Sequence, residues 1–506
     1  MAETVAPAKA SAAASSYAQI LKSTALIGGS TVVSIAFAII RNKAIAVLLG
    51  PGGVGLMGLY NSISDLANTL AGIGIQASGV RQIAEANGTG DADRIARTAT
   101  VLRRVSVFLA IAGAVLLVAF SAPIAAFTFG DNAHVAGVAL LSIALACRLL
   151  SSAQMALIQG MRRIADIARI EVLAAMFGTL IGIPLIYVFR EDGIVPALIA
   201  IAAVTLMTSW WYSRALRTAP PPMSAREVGQ EAKALLELGF IFMVSGFLTV
   251  GAAYAVRIIV LKTTGFEAVG HYQAAWSIGG LYAGFILQAM GTDFYPRLTA
   301  VATDNEACNR LVNEQAHVSI LLAGPGLLAT LTLAPLLITV LYSSEFHPAA
   351  DLLRWLCLGM MLRIVSWPMG FIVLAKGARR IFFWTEVAAT VVHVGLAWLL
   401  IPIWGIDGAG IAFVGLYLWH SGLIYVLGRR LSGFRWSREN LQLGLLFVPV
   451  AAGVFWGFAY LAQWPAFALG AVATLSTGIF ALSRLIRLFP AGTAASRLKL
   501  WLPRGG

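Results

Sequence analysis

Apolar runs about twenty residues long, broken by short polar stretches, recur along the whole chain. A helix needs about 20 mostly apolar residues to cross the hydrocarbon of a bilayer. Runs of that length lie at 22–49, 53–80, 102–128, 134–159, 165–189 and 193–213. After a polar break they resume at 235–262, 267–296, 312–342, 350–375, 381–402 and 407–428, and two more lie at 441–461 and 465–484. The pattern predicts an all-α integral membrane protein of about fourteen transmembrane helices. The first twenty residues are rich in Ala and Ser without a continuous apolar stretch; they read as a flexible tail and not as a cleaved signal.

Composition points the same way. Hydrophobic residues make up 59% of the 506 and charged ones 12%, where a soluble domain is roughly 25% charged. A soluble fold of this length has no core large enough to hide so much apolar surface. The net charge of +13 suits nucleic acid in size but not in distribution, because no basic stripe or recognition motif is present. The basic residues stand in clusters between apolar runs: Arg94, Arg97, Arg103 and Arg104; Arg162, Arg163 and Arg169; Arg214, Arg217 and Arg226; Lys376, Arg379 and Arg380; Arg429, Arg430, Arg435 and Arg438; and the C-terminal tail. The alternate loops at 129–134, 342–351, 403–407 and 462–466 carry no Lys or Arg. Positive residues favour the cytoplasm, so both termini are expected inside, which needs an even number of spans. The three cysteines, Cys147, Cys308 and Cys357, form neither a metal pattern nor a disulfide framework.

An internal repeat supports the count. The phrases VGLMGLYNSISDL and VGHYQAAWSIGGL place Gly55 and Gly270 at an offset of 215 residues (270 − 55). The same offset joins Gly50 to Gly265, Ser62 to Ser277, Arg148 to Arg363, Glu171 to Glu386, Asp192 to Asp407 and Gly193 to Gly408. Six helices per unit restore the starting side, so the halves run in parallel, as in transporters with repeats about an axis normal to the membrane. The expected layout is a flexible cytoplasmic tail at 1–20, a six-helix lobe at 21–216, a cytoplasmic link at 217–233, a second six-helix lobe at 234–430, and two additional helices with a basic tail at 431–506. The two bundles would enclose a central cavity.

Charges in the hydrocarbon are costly, at about 2.5–3.5 kcal/mol even on the insertion scale, and usually face protein or a water-filled cavity. Arg148 and Arg363 lie deep in helices four and ten. Arg41 and Arg257 lie in helices one and seven, where snorkelling to headgroups is the alternative. Helix two carries Asn61, Asp65, Asn68, Gly72 and Gln76 at spacings that fall on one face. Helix eight carries Gln273, Ser277, Gly280, Gly284 and Gln288 in the same manner. Asp65 matches Gly280 at the repeat offset, so the halves are chemically unequal there, and Asp65 has the alternative role of neutralising an arginine. Guanidinium groups in excess suit an anion, and their fork fits phosphate oxygens; the amides and hydroxyls suit sugar hydroxyls. No phosphate-binding GxxxxGK[ST] loop is present, and no outer loop offers a catalytic constellation. Neither a metal nor a cofactor is expected.

Three stretches carry a resemblance: LLGPGGVGLMGLYNSISDLANTLAGIGIQASGVRQIAE (48–85), ALIQGMRRIADIARIEVLAAMFGTLIG (156–182) and EFHPAADLLRWLCLGMMLRIVSWPMGFIVLAKGARRIFFWTEV (345–387). Over about residues 20–430 the chain resembles the Wzx-type O-antigen and enterobacterial-common-antigen flippases of the multidrug/oligosaccharidyl-lipid/polysaccharide exporter superfamily. The resemblance implies a two-lobed bundle in the bacterial cytoplasmic membrane. It implies a substrate in which undecaprenyl pyrophosphate carries an oligosaccharide, moved to the periplasmic leaflet by alternating access, with Arg41, Arg148, Arg257 and Arg363 as the cavity arginines. Asp65, Asn61, Asn68, Gln76, Gln273 and Gln288 complete the candidate substrate-binding set. Membrane lipids would surround the chain, and a glycan polymerase and chain-length machinery are candidate partners. Many members of this group have twelve helices, whereas the lipid II flippases of the superfamily have fourteen. Two rivals stand beside this expectation: a cation-coupled multidrug exporter, which would want acidic groups, and a membrane-embedded glycan polymerase, which would want a large outer loop.

Overall fold

The computed structural model describes residues 6–216 and 222–488, without the side chains of 6–28 and of six positions between 282 and 293. Every regular element among the described residues is helical. The chain divides into two compact units, Met1–Tyr254 and Ala255–Gly506. The first holds α1 (Ala6–Gly72), α2 (Ile75–Thr89), α3 (Ala92–Ala119), α4 (Ser121–Phe129), α5 (Val135–Gly160), α6 (Ile164–Phe189) and α7 (Ile194–Ser213). Helix α8 (Ala225–Thr264) carries the chain from the first unit to the second. The second continues with α9 (Phe266–Ala289), α10 (Tyr295–Ala300), α11 (Asn305–Thr332), α12 (Ala334–Leu341), α13 (Ala349–Ala375), α14 (Arg379–Trp404), α15 (Asp407–Ser432), α16 (Arg438–Tyr460) and α17 (Gln463–Leu488). Eleven segments of the described chain are long and apolar enough to cross a bilayer. Two of these are double: Gly29–Gly72 bends at Gly50, and Ile164–Leu216 contains both α6 and α7.

Several boundaries differ from the hydrophobic pattern, each for a local reason. The helix of α1 already begins at Ala6, inside the stretch read as a flexible tail. Gly50 takes φ 64° and ψ −168° ahead of Pro51, so the two runs on either side join as one bent rod. Glycine reaches that φ without a Cβ penalty, and proline suits the first turn of the second arm. The run at 53–80 is broken, where one helix was expected: Ile73 and Gly74 have φ of 45° and 61°, and α2 starts beyond them. Helix α3 begins well before its apolar run because the side chain of Asp91 accepts from the Arg94 amide, an N-cap that satisfies an orphan donor. Inside the stretch read as a link, Ser224 and Glu227 form a reciprocal capping box that starts α8; residues 217–221 lie outside the described residues. The run at 267–296 gives way to a π-helical turn at Met290–Phe294, and the run at 312–342 divides into α11 and α12.

The repeat is written into the backbone of each unit. Gly50 and Gly265, 215 residues apart, both have positive φ, at 64° and 89°. The same holds for Arg162 and Gly377, at 56° and 67°, and for Arg190 and Gly405, at 52° and 59°. Around Arg162, Met161 N bonds Leu157 O and Arg163 N bonds Ile158 O; around Gly377, Lys376 N bonds Ile372 O and Ala378 N bonds Val373 O. Gly193 and Gly408 each sit where a Cβ would strike the carbonyl of the residue eight positions earlier, Leu185 or Leu400.

Within the units, small residues let helices approach closely, the usual device where lipid supplies no hydrophobic drive between helices. Gly359 of α13 receives Phe413 of α15, and Gly410 of α15 receives Trp355 of α13. Outward-facing Phe108, Val188, Met207, Trp398, Leu445 and Trp464 are exposed, as lipid-facing positions should be. Helices α16 and α17 pack on α11. An asparagine stripe on α11 holds the turn that leads into α16. Asn309 Nδ2 donates to Ser432 O, Asn313 accepts from Ser437 N at 2.8 Å, and Asn440 Nδ2 donates to Asn313 O at 2.9 Å.

Candidate functional site

Six of the residues singled out in the sequence, Arg41, Asn61, Asp65, Asn68, Gln76 and Arg148, line one cavity of about 450 Å³ in the first unit. Arg41, Asn61, Asp65 and Asn68 come from the two arms of α1, on either side of the bend at Gly50. Arg148 comes from the middle of α5 and Gln76 from the first turn of α2. The wall of α7 contributes Thr205. The polar side chains on α1 and α5 lie on helices that are otherwise apolar, while Met57, Met155, Leu198 and Ile201 add apolar wall to the same cavity.

Arg148 bridges α5 to α1. Its Nη1 donates to Ser64 Oγ at 2.9 Å and its Nη2 to Asp65 Oδ1 at 2.7 Å. Asp65 therefore does neutralise an arginine, and both side chains remain open to the cavity, at 36% and 50% exposure. The hydroxyls of Ser151 and Ser152 donate to the Arg148 carbonyl, which ties them to their own helix.

Arg41 is the unbalanced charge. It forms no ion pair among the described residues, and its Nε is buried without a hydrogen-bond partner. The Oδ1 of Asn68 is buried and unpartnered as well. Two arginines against one aspartate leave the cavity with a net positive charge. A buried donor left unsatisfied costs about 1–3 kcal/mol, which a bound anion would recover at Arg41.

In the second unit the candidates are held differently. Arg257 donates through Nε and Nη2 to Gln273 Oε1, at 3.2 and 3.0 Å. Gln273 Nε2 passes the chain on to Ser277 Oγ at 3.2 Å, and the guanidinium lies over the Tyr272 ring. Arg363 lacks the carboxylate that Arg148 has, because Gly280 stands at the position matching Asp65. It stacks instead over Trp367, 4.7 Å from the ring centroid, and near Tyr417 at 5.8 Å; its Nε is buried and unpartnered. The side chain of Gln288 lies outside the described residues. His393 packs against the Phe413 ring, a buried histidine of the core.

Three further residues carry no clear signal in the sequence. Ser64 is the second partner of Arg148, but one serine in an apolar helix points to nothing. Gln159, in the last turn of α5, lines a second chamber beside the first. Arg354, buried at 8% exposure, pairs with Asp351 and lies 4.0 Å over the Phe458 ring; its place near the start of α13 concealed it.

The family model described as polysaccharide biosynthesis protein matches residues 44–351. The chain belongs to that family. It is 25% identical over 427 residues to the lipid III flippase of Escherichia coli K12 and to that of Shigella flexneri, an alignment covering 81% of this chain and 99% of each relative. Among solved structures, an inward-facing multidrug resistance MATE family transporter of the MOP superfamily superposes with a TM-score of 0.68 at 16% identity, over 79% of this chain and 95% of its own. The lipid II flippase MurJ in its inward closed conformation gives 0.64 at 14% identity, over 91% and 99%. A MOP superfamily transporter from Pyrococcus furiosus gives 0.60 at 16% identity, over 81% and 96%. The fold of this polysaccharide biosynthesis family member is thus the MOP transporter fold, as the sequence resemblance implied, and the chain is a multi-pass inner-membrane protein.

Proposed function

We propose that this chain is a flippase that moves a polyprenyl-pyrophosphate-linked oligosaccharide across the cytoplasmic membrane by alternating access. The observation that carries the proposal is the cationic cavity of Arg41, Arg148 and Asp65 inside a chain that aligns with nearly the whole of a lipid III flippase. Arg41 offers the unpaired guanidinium for a pyrophosphate oxygen, and Arg148, oriented by Asp65 and Ser64, offers the second. Asn61, Asn68 and Gln76 then face sugar hydroxyls, while the polyprenyl tail stays in lipid. In the second unit Arg257, Gln273, Arg363 and Gln288 are the further substrate contacts. Transport, and no covalent chemistry, is the activity.

The layout that goes with this is fourteen passes with both termini in the cytoplasm. The charge asymmetry of the loops supports it: clusters such as Arg162–Arg163 and Arg379–Arg380 alternate with loops free of Lys and Arg. The lobes at 21–216 and 234–430 would rock about the 217–233 link, with 431–506 as an addition, and a glycan polymerase and chain-length machinery would take up the product. The rival is a cation-coupled drug exporter. It shares the fold, but a cationic drug would meet two arginines for one aspartate.

Complementation of a flippase-null bacterium tests the proposal. Wild type should restore surface glycan, and Arg41→Gln at equal membrane abundance should not, while lipid-linked glycan accumulates on the cytoplasmic face. Failure of the wild type in every glycan background, with drug resistance conferred in its place, would sink the proposal in favour of the exporter.

A further inference from the structure

A second chamber of about 490 Å³ adjoins the arginine cavity and shares Asn68, Gln76 and Ser152 with it. Among the described residues its lining contains no charged side chain. Thr69, Gln76 and Gln159 supply neutral donors and acceptors, and Phe242 and Met243 of α8 supply an apolar wall. Its size falls within the roughly 300–1,000 Å³ of ordinary small-molecule sites. The two chambers thus differ sharply in electrostatics over a short distance: one holds two arginines and an aspartate, the other only amides, hydroxyls and carbon.

The break in the helix at Ile73–Gly74 lies in the wall of the second chamber. The two left-handed residues turn the chain there; Gln76 just beyond them lines both chambers, and Gly72 and Gly74 enter the lining of the second alone. Thr69 already donates its hydroxyl to Asp65 O at 2.8 Å, so toward the chamber its oxygen is an acceptor. Closely spaced neutral donors and acceptors beside an aromatic face suit a pyranose ring. They do not suit a phosphate, which would find no cation there.

We infer that the second chamber is a sugar subsite, occupied by the first residues of the glycan while the pyrophosphate rests on Arg41 and Arg148. This rests on the flippase reading and goes further, because it divides the substrate between two chambers. Gln159 and Phe242, which line the second chamber and not the first, become selectivity residues for the glycan, while Gln76 stands at the junction of the two. Gln159 and Gln76 are exposed to the chamber, so truncating them leaves no buried group unsatisfied.

Binding by the purified full-length protein in lipid nanodiscs tests the division with two probes: undecaprenyl pyrophosphate alone, and the same lipid carrying an oligosaccharide. The wild type should bind the glycosylated lipid more tightly than the bare one. Gln159→Leu, at a position that lines the second chamber and not the first, should lower affinity for the glycosylated lipid by up to roughly tenfold, the scale of one hydrogen bond, and leave the bare lipid unchanged. Unchanged binding of the bare lipid also reports that the variant is folded. Arg41→Gln should weaken both probes alike. Equal loss for both probes in the glutamine variant, or no loss for either, would overturn the sugar subsite while leaving the flippase proposal standing. A wild type that binds neither probe would fell the flippase proposal itself.

Discussion

Arg148 Nη2 sits 2.7 Å from Asp65 Oδ1, and the position that repeats Asp65 in the second half is Gly280. One repeat therefore carries an arginine paired with an aspartate, and the other an arginine that stacks over Trp367 and forms no ion pair among the described residues. The pair is partly exposed, so its coupling belongs with surface pairs of about 0.2–1 kcal/mol and not with buried ones. Arg148→Gln and Asp65→Asn, made singly and together, should show a double cost smaller than the sum by about that amount. Thermal unfolding of the four detergent-solubilised proteins measures it. Additive costs would mean that the contact holds no coupling.

Arg41 separates function from stability. Its buried Nε has no partner, so Arg41→Gln removes an unsatisfied donor and should leave the thermal midpoint unchanged or higher, while transport falls at least tenfold. Arg41→Lys keeps the charge but loses the planar fork, and should recover only part of the transport. A midpoint several degrees lower in Arg41→Gln would make the residue a structural one.

Gly74 and Gly239 touch backbone to backbone. A Cβ on Gly239 would collide with the Ile73 carbonyl oxygen, and one on Gly74 with the Gly239 carbonyl oxygen. Gly239→Ala should cost about 1–3 kcal/mol as an overpacked contact. Gly74→Ala should cost more, because its φ of 61° adds about 1–2 kcal/mol for a residue with a Cβ. Thermal midpoints in the same detergent rank the two; the reverse order would refute the backbone argument.

Arg162 occupies a left-handed position, φ 56°, that its repeat partner fills with Gly377. The side chain of Arg162 is exposed, so packing contributes little at this position. Arg162→Gly should relieve about 1–2 kcal/mol of strain and lose about 0.4–1 kcal/mol to the freer unfolded chain, for a small net gain. Gly377→Arg should do the opposite. Unfolding curves for both variants check the signs, and a loss in Arg162→Gly would show that the arginine side chain contributes more than its backbone costs.

The apolar runs, the basic clusters and the 215-residue offset were all legible in the chain, because lipid imposes a length on every helix and the charge rule acts on loops. The polar stripe at Asn61, Asp65 and Asn68 was legible too, since a straight helix places such spacings on one face. The ion pair between Asp65 and Arg148 was not, because residues 83 positions apart meet only through the packing of α5 on α1. Nor was the bend that sets Gln76 between two chambers. Glycine permits a left-handed turn wherever it occurs, and Ile73 gives no hint of one. Only the tertiary contact of Gly74 with Gly239 shows the break in place. Sequence alone thus determined the apolar runs, their repeat and the candidate polar faces; the packing decided where the helices bend and break, which charges are paired, which stand open, and where the neutral chamber begins.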